Sequence, residues 1–278
     1  MSTLTDTARV RLPSTLRLAA ARTRLDLTEF FRERDAVIFI FAYPIIMMAI
    51  FATVFDDSVQ ADAGVSVPFA QYFLPGILAT GIMLTSFQTM AIDLAVQRDT
   101  GALKRLRGTP LPPTAFFLGK VGQVLVNTVV QVALLLALAF VVYDVPVPDA
   151  SRWVTFAWVL VLGTATGTIC GVAFSSLPRT GKSASAVVTP VVLVLQFVSG
   201  VFFPFFSLPG WMQQVAALFP LKWMAQGMRS VFLPEGAQVL EVAGSWELGA
   251  TAAILGAWLL VGLVVGVRTF RWRRRDDG

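Results

Sequence analysis

Residues 36–55 read AVIFIFAYPIIMMAIFATVF, twenty residues without a charge. A helix rising ~1.5 Å per residue needs about that length to cross ~30 Å of hydrocarbon. Five more long apolar runs follow, over about 71–95, 115–142, 153–177, 184–203 and 246–267. The whole chain agrees with its parts. Of 278 residues, 56% are hydrophobic and 14% charged, and mean hydropathy is +0.71. A soluble domain carries about 25% charged residues to cover its surface. The expected fold class is therefore an all-α membrane protein with six transmembrane helices occupying residues 36–267.

Between the fifth and sixth runs, residues 204–232 are apolar but broken at Pro204, Pro209-Gly210 and Pro220. The pieces are too short to cross. They are expected to form a re-entrant helical hairpin dipping into the outer interface before the last span.

Charge placement orients the spans, because lysine and arginine are retained on the cytoplasmic side during insertion. With the amino terminus inside, the tail of residues 1–35 holds seven basic residues. The second-to-third loop holds Arg98, Lys104, Arg105, Arg107 and Lys120; the fourth-to-fifth holds Arg179 and Lys182. The tail of residues 268–278 holds five more. These make nineteen of 22; outside remain Arg152, Lys222 and Arg229, with Asp56, Asp57 and Asp62 in the first outer loop. The expected location is the cell membrane, multi-pass, with both termini cytoplasmic. The first 35 residues show no apolar stretch and so no secretory signal peptide; the first span is expected to direct insertion. The net charge of +5 reads as topology signals and contacts to anionic headgroups, with no nucleic acid as partner.

Residues 15–34 interleave Leu16, Ala20, Leu25, Leu27, Phe30 and Phe31 with Arg17, Arg22, Arg24, Arg32 and Arg34. That pattern predicts an amphipathic helix in the interface plane, or one packed on a soluble partner, and both can hold.

Residues 96–111, VQRDTGALKRLRGTPL, turn abruptly from apolar to charged after the second span. A short helix should stop before Thr109-Pro110, since the residue before a proline resists helical geometry. Leu103 and Leu106 share a face within it, rimmed by Lys104, Arg105 and Arg107. A small apolar stripe with a basic rim suits docking into a groove on a cytoplasmic partner. The segment resembles the signature of the permease subunits of type-two ATP-binding-cassette exporters, the drug-resistance and polysaccharide-export class. The matching residues are Arg98, Asp99, Thr100, Gly101, Leu103, Lys104, Arg105, Leu106, Thr109 and Pro110, with Asp99 where glutamate is commoner. Phe73-Leu74-Pro75-Gly76, Gly200, Pro204 and Pro220 add to the likeness. The resemblance implies a dimer of permeases, homodimeric or with a related permease, bound to two separate ATPase subunits that carry ATP and Mg. It also implies that residues 96–111 are the coupling helix. Export of a hydrophobic or amphipathic drug, antibiotic or lipid follows as the expected function; a polysaccharide or lipid-linked glycan is the alternative cargo.

Enzyme chemistry finds little support. The chain has no histidine and one cysteine, Cys170, which removes the commonest general base and any thiolate cluster. A phosphate loop needs G-x-x-x-x-G-K-[ST]. Gly181-Lys182-Ser183 has Ser176 where its first glycine belongs, so this chain is not expected to hydrolyse ATP and needs no cofactor of its own. A stand-alone secondary carrier would show repeated halves and midplane acids; an intramembrane enzyme would show clustered acids or histidines. Asp93 is the one acid well inside a span, near its inner end, and is expected to pair with Arg98 or to favour cationic substrates. Gln88, Asn127, Gln131 and Gln196 read as bridges between helices. In the resembled family the path runs between the second and fifth spans of the two halves. That implies Thr85, Gln88, Thr89, Gln196, Phe197 and Ser199 as path candidates, and Asp93 joins them by its own place at the inner mouth. Gly163, Gly167 and Gly171 repeat G-x-x-x-G, a pattern for close helix packing.

Overall fold

The computed structural model describes residues 13–55, 58–60 and 66–272. Arg9, Arg11, Asp56, Asp57, Asp62 and the last three arginines lie outside the described residues. Helix α1 (Thr15–Arg32) begins at Ser14, whose hydroxyl accepts from the Arg17 amide. Then come α2 (Arg34–Val54) and a short antiparallel ribbon, β1 (Ser58–Gln60) and β2 (Ser66–Pro68), with Val59 opposite Val67. The second span combines α3 (Phe69–Met83), a π-helical turn over Leu84–Gln88, and α4 (Thr89–Asp99). A short α5 (Ala102–Arg107) leads to α6 (Pro113–Val141), α7 (Arg152–Phe174) and α8 (Gly181–Val198). The chain ends through α9 (Gly210–Ala217), α10 (Pro220–Phe232) and α11 (Leu248–Thr269). Among the described residues, six helices are long and apolar enough to cross a membrane: α2, the joined α3–α4, α6, α7, α8 and α11.

The joined α3–α4 helix is the axis of the bundle. Of its most apolar window 83% is buried, against 22% for α2 and for α11. Phe73, Leu74, Ile77, Leu78 and Ile82 form the centre of the core. The outward faces of α2 and α11 carry Ile38, Ile46, Ile50, Leu260, Val264 and Val267, all exposed. Water would not tolerate so continuous an apolar belt; hydrocarbon requires it.

The glycine repeat of α7 lies against this axis. A Cβ at Gly163 would stand 2.7 Å from the Met224 sulfur, and one at Gly171 would stand 2.7 Å from the Phe87 carbonyl oxygen. At Gly167 it would collide with the Ser86 hydroxyl. The π turn seated there is held by side chains. Thr89 Oγ1 donates to the Leu84 carbonyl at 2.9 Å, and Thr85 Oγ1 lies 2.8 Å from Thr128 Oγ1.

The fifth span ends at Val198, and Gly200 turns the chain with φ +70°. A Cβ there would also sit 2.8 Å from that of Phe205. Beyond it, α9 and α10 form a helical hairpin packed against α11. Its tip carbonyl at Leu218 accepts from Trp258 Nε1 at 2.7 Å, and Trp258 is the eleventh of the 22 residues of α11. Lys222 and Arg229, read in sequence as outer-loop charges, are buried on α10. Arg229 Nε reaches Glu241 Oε1 at 2.5 Å; Lys222 bonds Gln226 and lies over the Trp223 ring at 3.6 Å. Buried charges persist where they are paired and hydrogen-bonded in this way.

Candidate functional site

Helix α4 stops at Asp99, and Gly101 takes φ +71°, which glycine adopts without a Cβ penalty. That turn swings α5 back under the bundle. Leu103 is fully buried there, in a cluster with Met90, Leu94, Phe116 and Val172. Leu106 packs on the same cluster and is partly buried. The apolar stripe of α5 therefore faces inward, whereas the sequence reading turned it toward a partner. Lys104, Arg105 and Arg107 stay exposed.

The two residues before this turn act as a clamp. Arg98 Nη2 donates to the Pro178 carbonyl at 2.8 Å. Asp99 Oδ2 accepts the Gly181 amide at 3.0 Å, a carboxylate at the amino end of α8 where exposed N–H groups favour it. Gly181-Lys182-Ser183 is the first turn of α8, capped by Thr180. Thus α5 hangs from a joint that locks the end of the second span to the start of the fifth, with its basic face outward.

Beside the joint lies an amphipathic cavity of ≈ 490 Å³ between α1, α2, α4 and α8. Lys120 stands at its wall. Its Nζ is 2.6 Å from Asp93 Oδ2 and 3.1 Å from Asp26 Oδ1, and Arg22 Nη2 closes on Asp26 at 2.7 Å. Small residues allow this approach: a Cβ at Gly119 would stand 2.6 Å from Arg22 Cγ, and Thr23 Oγ1 donates to the Gly119 carbonyl at 3.1 Å.

A family model described as ABC-2 type transporter matches residues 18–233. The inner membrane transport permease YadH of Escherichia coli strain K12 is 24% identical over 192 residues, covering 68% of this chain and 74% of that protein. The chain belongs to the ABC-2 type transporter family. The probable multidrug ABC transporter permease YbhR of the same strain is 22% identical over 195 residues, 69% of this chain and 52% of that protein. The chain is thus an ABC transporter permease, a multi-pass membrane protein of a family that works with an ATPase partner.

The path candidates of this permease fall in different places. Gln88, Thr89 and Asp93 line the cavity together. Thr85 is buried against Thr128, and Gln196 accepts from the Tyr43 hydroxyl at 2.9 Å, bridging α8 to α2. Phe197 is 53% exposed on the outer face of α8, its ring 5.0 Å from that of Phe202, and Ser199 is buried. Among the described residues, Gln131 finds no hydrogen-bond partner for either side-chain atom.

Two expectations change. Asp93 takes Lys120 as its cation, where the sequence suggested Arg98. Lys120 is no loop residue: it sits on the second turn of α6, 2% exposed. Helix α1 also has a packed face, which its sequence did not reveal. Ala19, Asp26 and Phe30 are buried as it lies along α6, while Leu16, Leu25 and Phe31 remain exposed. Sequence reasoning missed Asp26, Glu29 and Glu33 because α1 was read by its arginines and leucines. Their spacing of three and four residues on one helix face was the available signal.

Proposed function

We propose that this permease forms half of the membrane path of an ATP-driven exporter, with the basic face of α5 as the seat for the ATPase subunit. One observation supports this above the others. The α5 helix is fastened by buried Leu103 and by the Arg98–Asp99 clamp, so a push on its basic face is transmitted to the second and fifth spans together. In this reading Arg98, Asp99, Thr100, Gly101 and Leu103 position the helix. Lys104, Arg105, Arg107 and the Thr109-Pro110 stop form its contact rim, with Leu106 packed beneath it.

ATP and Mg are bound by the partner ATPase, and this chain supplies no catalytic group. The α5 end faces the cytoplasm, with both termini there; the hairpin of α9 and α10 is re-entrant from the outer side. A second permease copy completes the path. The cargo is a hydrophobic or amphipathic small molecule, a reading favoured by the apolar and aromatic walls of the cavities and by the name of YbhR. Purification of the tagged full chain from native membranes tests this. An ATP-hydrolysing cytoplasmic subunit should co-elute with it, and cross-linking should return a permease dimer. Elution of the chain without any ATPase would contradict the proposal.

A further inference from the structure

The cavity between α1, α2, α4 and α8 holds more acid than its ammonium neutralises. Lys120 is already paired with Asp93 and Asp26, and Arg22 also serves Asp26. Glu29 and Glu33 line the same cavity, and neither has an ion pair among the described residues. Gln88 on the π turn lines the same cavity; it is 9% exposed, and its Oε1 has no hydrogen-bond partner among the described residues. A buried amide oxygen in that state asks for a donor. Phe30 and Phe39 line the apolar side, and aromatic faces attract cations. At ≈ 490 Å³ the space suits a drug-sized molecule.

We propose that this cavity binds an amphiphilic ammonium ion, a protonated amine carried on an aromatic or aliphatic body. The ammonium lies toward Glu29 and Glu33 and donates an N–H to Gln88 Oε1. The body rests on Phe30, Phe39 and Ile40. An anion is disfavoured, since the nearby Lys120 charge is spent on two carboxylates. As a transport step the site rests on the exporter reading; as a binding site it stands alone.

The test uses the full chain in phosphatidylcholine nanodiscs, with empty discs as reference, and equilibrium dialysis of three probes. Propranolol is a naphthyl secondary amine protonated at neutral pH. Its N,N-dimethyl quaternary ion keeps the charge without the donated N–H, and its N-acetyl derivative loses the charge. Propranolol should bind saturably, the quaternary ion more weakly, and the acetyl derivative no more than to empty discs. Glu29→Gln with Glu33→Gln exchanges exposed carboxylates for isosteric amides, so the fold should survive, as a thermal melt would verify. That pair should weaken propranolol about tenfold, the scale of two partly solvated charges. Gln88→Leu should bring propranolol down to the level of its quaternary ion. Propranolol binding no better than to empty discs, acetyl binding equal to the amine, or indifference to the double substitution would overturn the site. Failure of the site with an ATPase still co-eluting leaves the exporter reading intact; saturable amine binding with no ATPase does the reverse.

Discussion

Lys120 shows how one side chain can organise the inner end of a span. Its ammonium joins Asp26 of α1 to Asp93 of α4 from a position on α6, so three helices meet at one charge. Removing it would leave Asp93 without a cation and the fully buried Asp26 with Arg22 alone. Lys120→Met should therefore destabilise the protein by about 3–5 kcal/mol. Adding Asp26→Asn and Asp93→Asn should recover most of that, and thermal unfolding in detergent would measure both. A single variant as stable as wild type would mean the charges are solvated. At the glycine stripe, Gly171→Val should cost about 1–3 kcal/mol by overpacking against Phe87. Gly256, with nothing within 4 Å of a Cβ, should accept valine without that cost. Asp93 was legible in sequence as an acid inside a span. Its partner was not, because Lys120 lies 27 residues away and a charge near a span end reads as a loop residue.

At the scale of elements, what was legible is what local composition determines. Span length, the breaks at Pro209-Gly210 and Pro220, and the small-residue stripe of α7 are all written in neighbouring residues. What was hidden is set by contacts distant in sequence. The hairpin is seated against α11 by the bond from Trp258 to the Leu218 carbonyl, and α5 is turned inward by the pocket that receives Leu103. The π turn has no local signature here and becomes visible only where Ser86 and Phe87 meet α7. A test belongs to α5: Leu103→Asp puts a carboxylate into that apolar pocket and should release the helix. The variant should lose the ATPase subunit on purification while its six spans still insert, as protease protection of the loops would report. Retention of the subunit at wild-type levels would mean α5 does not need this anchor.

Across the whole molecule, one end carries the α5 joint and the acidic cavity, and the other carries the hairpin and its buried ion pairs. The buried second span runs between them, and the clamp at Arg98 and Asp99 ties its end to the fifth. This arrangement suits a lever: force applied at α5 reaches the axis of the bundle and α8 together, while α2 and α11 present apolar faces to their surroundings. The most direct test is a reconstituted complex of the permease and its ATPase carrying Arg105→Glu with Arg107→Glu on the exposed rim of α5. Subunit co-purification and substrate-stimulated ATP hydrolysis should both fall about tenfold or more, the scale of reversing two interface charges. Wild-type values for both would contradict the coupling role of this helix.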